Sequence, residues 1–111
     1  MAEIRNVDVA EAAQMAQQGA LLLDVRQDNE WDAGHAPAAR HVMLAELPDH
    51  LGSLDADRPI VCVCRSGGRS ARATAFLMEN GFDAVNLAGG MTAWAHEGQP
   101  LSAESGEPTV I

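Results

Sequence analysis

An α/β domain with a central, mostly parallel five-stranded sheet and helices on both faces is the fold this sequence predicts. Three observations carry that reading. Short apolar runs without alternation, such as Leu21-Leu22-Leu23 and Ile60-Val61-Cys62-Val63, have the composition of strands covered on both faces. Segments with one-face helical spacing lie between them, joined by short Gly- and Pro-bearing connections. Strand and helix alternate along the chain, the pattern of a parallel sheet with crossover helices. With 111 residues the chain has room for one domain and no second core.

The elements follow in order. Ile4 to Val7 is a first short strand. Asp8 caps a helix, with Glu11 three residues on as in a capping box. Val9, Ala12, Ala13 and Ala16 form its inner face, and Gly19 stops it. Leu21 to Leu23 run as a second strand into Asp24-Val25-Arg26. Asp28 to Ala33 is a short helical turn closed by Gly34, and Pro37 breaks the chain before a third strand, His41-Val42-Met43. Leu44 to Leu51 reads as a helix whose start Pro48 leaves open. Pro59 begins the fourth strand, Ile60 to Val63, with Pro at its edge. The glycines of Cys64-Arg65-Ser66-Gly67-Gly68-Arg69 cannot continue a strand. Ser70 to Asn80 is helical, with Ala73, Phe76 and Leu77 inward and Gly81 as C-cap. Ala84 to Leu87 is the fifth strand, and Gly89-Gly90 turns the chain into a helix over Met91 to Glu97. The domain spans 1–101, and 102–111 reads as a poorly ordered tail.

Charge excludes whole classes of function. Sixteen acids stand against seven bases, for a net charge of -9. Every base is Arg. Such a field disfavours nucleic acid and anionic membranes, which call for a basic face. No run of 18 apolar residues suggests a transmembrane helix, and Met1 to Arg5 shows no secretory pattern. Yet Arg65, Arg69 and Arg72 cluster within eight residues with no acid among them. In a chain this acidic, such a cluster is expected to hold something negative.

The two cysteines, Cys62 and Cys64, are too few and too close for a disulfide framework. Their side chains are expected on opposite faces of the strand, where a bond between them would be badly strained. No metal set is indicated, because tetrahedral zinc wants about four ligands and no His is close in sequence. Two free thiols point to a reducing compartment, the cytoplasm.

Ligand sites in open α/β sheets lie at the carboxyl ends of the strands, where Cys64 falls. It ends a buried strand and faces the start of the next helix. A helix N-terminus, an inward-curling nest of N–H groups at Gly67 and Gly68, and the charges of Arg65 and Arg69 would all favour thiolate over thiol. The Cys64 pKa is therefore expected below the free value of about 8.5.

Cys64-Arg65-Ser66-Gly67-Gly68-Arg69 resembles the active-site loop of the rhodanese family, the thiosulfate sulfurtransferases. Asp24-Val25-Arg26, Glu30 and Gly34-His35-Ala36-Pro37-Ala38-Ala39 are similar to the family's upstream motif, with Ala38 in place of the usual Gly. Leu87 through Trp94 to Gly98-Gln99-Pro100 is similar to its C-terminal motif. The resemblance spans about residues 3 to 101. It implies a single rhodanese-like domain in which Cys64 takes the outer sulfur of thiosulfate, or of a related persulfide donor, and releases sulfite. The resulting persulfide passes its sulfur to a thiophilic acceptor such as cyanide or a thiol, with no cofactor and no metal. Arg65, Ser66, Gly67, Gly68 and Arg69 would form the substrate cradle. A sulfur-relay protein is a further candidate partner, and the chain is expected to be a monomer with a pocket more open than that of a two-domain relative.

Around this centre, Asp24 and Arg26 are candidates for the pocket rim, with an ion pair of Arg26 to Glu30 favoured over direct ligand contact. His35 is read as supporting a turn and Cys62 as core. Trp31 could line the pocket mouth or cover the sheet. Two alternatives stand beside the sulfurtransferase. One is a sulfur-carrier or redox-sensing module built on the same thiolate. The other is a Cys-dependent phosphatase or arsenate reductase, whose Cys-x5-Arg loop is one residue longer than the Cys64-to-Arg69 span.

Overall fold

The computed structural model describes residues 3–111. Five strands form one sheet: β1 (Asn6–Val7), β2 (Leu21–Asp24), β3 (Arg40–His41), β4 (Ile60–Val63) and β5 (Ala84–Leu87). Their order is β1-β5-β4-β2-β3, and every pairing is parallel. The α-helices are α1 (Val9–Gln17), α2 (Asp28–Ala33), α3 (Leu47–His50), α4 (Gly68–Glu79) and α5 (Gly90–His96).

Strand alternation divides the core in two. Val7, Leu22, Val61, Val63, Val85 and Leu87 point to one face, under Val9 and Ala12 of α1 and Met91 and Trp94 of α5. Leu21, Leu23, Ile60, Cys62 and Ala84 point to the other, under Leu47 of α3 and Ala73 and Leu77 of α4. Unbroken apolar runs are the right composition for strands buried on both sides, and fully burying one such Leu or Ile contributes roughly 1.5–3 kcal/mol. Cys64 lies in the same cluster as Cys62. The expectation of opposite faces is thereby corrected, since residues two apart in a strand share a face. Both thiols are free.

Several boundaries move for identifiable reasons. Asp8 caps α1 by accepting from the Glu11 N–H at 2.8 Å, but the Glu11 carboxylate pairs with Arg5 instead of closing the capping box. The predicted helix over Leu44 to Leu51 is a 3-10 turn at Leu44–Glu46, the four-residue α3, and a second 3-10 turn at Leu51–Ser53. Pro48 sits in the first turn of α3, where its missing N–H costs nothing. α4 begins at Gly68, two residues before the expected start, so Gly68 and Arg69 are helical.

The segment read as a poorly ordered tail runs back over the domain. Ser102 and His35 exchange backbone hydrogen bonds at 2.8 and 2.9 Å. The Thr109 N–H donates to the Ala33 carbonyl at 2.9 Å, and Val110 packs against the α1–α5 face of the core. A Cβ on Gly34 would come within 2.4 Å of the Thr109 carbonyl oxygen, so Gly34 makes room for this return. Nothing in the local composition of 102–111 signals it.

β2 and β4 are neighbours at the centre of the sheet, and the chain leaves their carboxyl ends in opposite directions, β2 toward β3 and β4 toward β5. That reversal makes the space beyond the carboxyl ends of β2 and β4, next to Val25 and Cys64, the position at which doubly wound sheets bind ligands.

Candidate active site

The loop from Cys64 to Gly67 is shaped by partners for its carbonyls. The Met91 N–H donates to the Cys64 carbonyl at 2.7 Å, and the Thr92 N–H to the Arg65 carbonyl at 3.0 Å. Asn86 Nδ2 donates to the Gly67 carbonyl at 3.1 Å. With these three carbonyls tied outward, the N–H groups that follow turn inward. Gly90 permits the arrangement, because a Cβ there would lie 2.4 Å from the Cys64 carbonyl oxygen. Gly67 has φ +112 as the residue capping α4, a conformation that favours glycine.

Cys64 Sγ therefore lies at the N-terminus of α4. It accepts from the Gly67 N–H at 3.1 Å and from the Ser70 hydroxyl at 3.3 Å. Burial by itself raises the thiol pKa. The Ser70 hydroxyl and the N–H groups of Ser70, Gly67 and Ser66 outweigh it, and the Cys64 pKa falls below its ordinary value. Cys62, buried without such a cradle, is pushed up to about 12 by desolvation. Two thiols two positions apart thus have opposite tendencies.

The arginines behave differently from expectation. Arg69 forms a two-pronged ion pair with Glu30, Nη1 to Oε1 at 2.7 Å and Nη2 to Oε2 at 2.9 Å. Arg65 Nε donates to the main-chain oxygen of Ile111 at 3.0 Å. Neither donates to the sulfur, and the donors that lower the Cys64 pKa are N–H groups and one hydroxyl. Ser66 on the loop and Gly68 at the start of α4 are exposed.

Asp24 and Arg26 do not reach a pocket rim. Both are 0% exposed, and they pair with each other, Arg26 Nη2 to Asp24 Oδ2 at 2.8 Å. The same Nη2 donates to the Gly34 carbonyl at 2.7 Å. The expected Arg26–Glu30 pair is thus replaced by two others, Asp24–Arg26 below and Glu30–Arg69 above. A salt link next in chain to a buried strand can satisfy its charges only locally, whereas Glu30 sits on α2 within reach of α4. His35 Nδ1 donates to the Trp31 carbonyl at 2.8 Å, supporting the turn as expected. Trp31 stacks on His35 and His41, with centroids at 3.6 and 4.8 Å. Ser70 and Asn86 were not anticipated, and Gly90 was read only as part of a turn and of the C-terminal motif. Ser70 lies two residues past the paired glycines, and Asn86 is a polar residue within an otherwise apolar strand; that last anomaly was visible in the sequence.

The rhodanese-like domain family matches residues 8–97. The chain belongs to the rhodanese family. A sulfurtransferase of Allochromatium vinosum is 40% identical over 87 residues, covering 78% of this chain and 81% of that one. The thiosulfate sulfurtransferase GlpE of Stutzerimonas stutzeri is 32% identical over 97 residues, covering 86% and 89%. Among solved structures, a rhodanese-like domain protein of Staphylococcus aureus superposes with a TM-score of 0.82 at 34% identity, over 92% of this chain and 100% of its own. In this rhodanese domain, all three stretches that resemble the family meet at one crevice: the Cys64 loop, α2 with its Glu30, and the Gly89-Gly90 turn.

Proposed function

We propose that this rhodanese is a sulfurtransferase that moves a sulfane sulfur from thiosulfate, or a related persulfide donor, to a thiophilic acceptor through a persulfide on Cys64. The observation that carries the reading is Cys64 Sγ held between the Gly67 N–H and the Ser70 hydroxyl at the start of α4. The names of its relatives support the reaction class.

The chemistry divides into two half-reactions. The Cys64 thiolate attacks the outer sulfur of thiosulfate. A new S–S bond forms, the old one breaks, and its electron pair leaves with sulfite. The persulfide then meets a nucleophile, which takes the outer sulfur and returns the electron pair to Sγ as thiolate. Activation comes from donors that stabilise the thiolate, and the same N–H groups of Ser66 and Gly67 would hold the charge of a persulfide anion.

Arg69 supports this reading over a phosphatase. A phosphoryl group needs a cationic donor turned into the loop, and here the guanidinium is engaged by Glu30 on the α2 side.

Intact mass before and after thiosulfate, without reductant, tests the proposal. One added sulfur atom is expected, removable by cyanide, present in Cys62→Ser and absent in Cys64→Ser. An adduct that survives in Cys64→Ser would overturn it.

A further inference from the structure

A cavity of about 500 Å³ lies along α4, walled by Gln27, Leu44, Leu47, Pro48, Phe76 and the arginines Arg69 and Arg72. Arg69 lines this wall, and the next residue, Ser70, donates to Cys64 Sγ, so the cavity lies beside the sulfur site. The space far exceeds what thiosulfate fills, and it falls in the range of about 300–1,000 Å³ typical of small organic ligands.

Its charge is unlike that of the rest of the molecule. The chain has a net charge of -9, yet among the described residues no acid lines this cavity. Glu46 and Asp49, although next in sequence to lining residues, are outside the wall. Arg69 is committed to Glu30. Arg72 is different. Arg5, Arg26 and Arg69 have carboxylate partners, and Arg40, Arg58 and Arg65 donate to backbone oxygens. Among the described residues, Arg72 is the arginine left without a hydrogen-bond or ion-pair partner. It stands at the cavity wall beside the apolar surfaces of Leu44, Pro48 and Phe76.

The geometry points to a specificity site: the cavity receives a small organic thiol bearing a carboxylate, with its carbon chain on Leu44, Pro48 and Phe76 and its carboxylate on Arg72. This deepens the proposed function and rests on it. The thiolate of the bound molecule attacks the outer sulfur of Enz–S–SH. Its bond to that sulfur forms, the Sγ–S bond breaks, the electron pair returns to Sγ, and the proton leaves on the transferred sulfur as R–S–SH. The reverse reaction loads Cys64 from the organic persulfide through the same contacts. An isolated apolar wall would not select a charge, and an isolated Arg would not select an organic chain; the cavity offers both.

The experiment measures removal of sulfur from preloaded Cys64 by 3-mercaptopropionate, 2-mercaptoethanol and cysteamine, as ratios of second-order rate constants within each variant. Ratios cancel the intrinsic reactivity of each thiol when variants are compared. Arg72→Glu is expected to lower the 3-mercaptopropionate to 2-mercaptoethanol ratio about fivefold or more and to raise the cysteamine ratio, as an exposed charge contact allows. Arg72→Lys should restore much of the parent's preference. Loading from 3-mercaptopropionate persulfide, read as mass gained, should carry the same dependence if the site also serves a donor; dependence in the removal arm alone marks it as an acceptor site. Ratios that are the same in the parent and in Arg72→Glu, in both arms, overturn the inference while leaving the sulfurtransferase intact. Failure of any donor to place sulfur on Cys64 overturns the sulfurtransferase itself and the site with it.

Discussion

Glu30 and Arg69, 39 residues apart in sequence, face each other through two parallel N–H···O contacts of 2.7 and 2.9 Å that join α2 to the first turn of α4. The pair ties α2 to the helix whose N-terminus cradles Cys64. It also occupies the Arg69 guanidinium, so the donors to Cys64 Sγ are the Gly67 N–H and the Ser70 hydroxyl.

The pair predicts an acid-side loss of stability. The Arg69 guanidinium draws the Glu30 carboxyl from 4.5 down to about 2, against an opposing effect of burial. A lowered folded-state pKa gives stability that is present above the unfolded value and lost as pH falls through the folded one. The window is therefore pH 4.5 to 2. With Arg69 part-exposed, the contribution is about 2 kcal/mol. Urea midpoints of the parent should fall across that window, and Glu30→Gln should flatten that part of the profile. Parallel profiles would refute it.

Ser70 is the side chain on which thiolate character should depend most. Ser70→Ala removes the 3.3 Å hydroxyl contact to Sγ while keeping the helix and its N–H groups. The Cys64 pKa should rise, and alkylation near neutral pH should slow about tenfold, as expected for one hydrogen bond to a charged group. Arg69→Ala should shift the alkylation profile less than Ser70→Ala does. The reverse order would restore full charge as the main cause.

Gly90→Ala tests the close approach of the α5 turn to the Cys64 loop. The new Cβ would meet the Cys64 carbonyl oxygen at 2.4 Å and the Arg65 carbonyl carbon at 2.7 Å, backbone atoms that cannot swing aside. Residue 90 also has φ +57. A loss of about 2 kcal/mol or more is expected. Gly52→Ala, with nothing within 4 Å of its Cβ, serves as the control in the same denaturation series.

Arg26→Met leaves Asp24 as a buried carboxylate without its partner and should cost about 3–5 kcal/mol. The double variant Asp24→Leu/Arg26→Met should recover a large part of that loss, since the stranded charge is gone. A double variant no more stable than Arg26→Met would show that the Arg26 contact to the Gly34 carbonyl, at 2.7 Å, carries the effect.

The sequence by itself determined the alternation of elements and the position of the reactive thiol. Strand composition places β2, β4 and β5 within a residue of where they lie, because burial on both faces leaves little choice but continuous Leu, Ile and Val. Gly67 and Gly68 after a buried strand mark the cradle for the same local reason. The tertiary structure decided who pairs with whom. Arg26 turns to Asp24 and Glu30 to Arg69 because the crevice brings α2 to α4, a contact over 39 residues that no local pattern encodes. The return of 102–111 over Gly34, the Asn86 contact to Gly67 and the place of Arg72 at its cavity wall are of the same kind. Local composition is read along the chain, whereas charge pairing and cavity walls are set by distances in space, which appear only once the sheet has stacked its strands in the order β1-β5-β4-β2-β3.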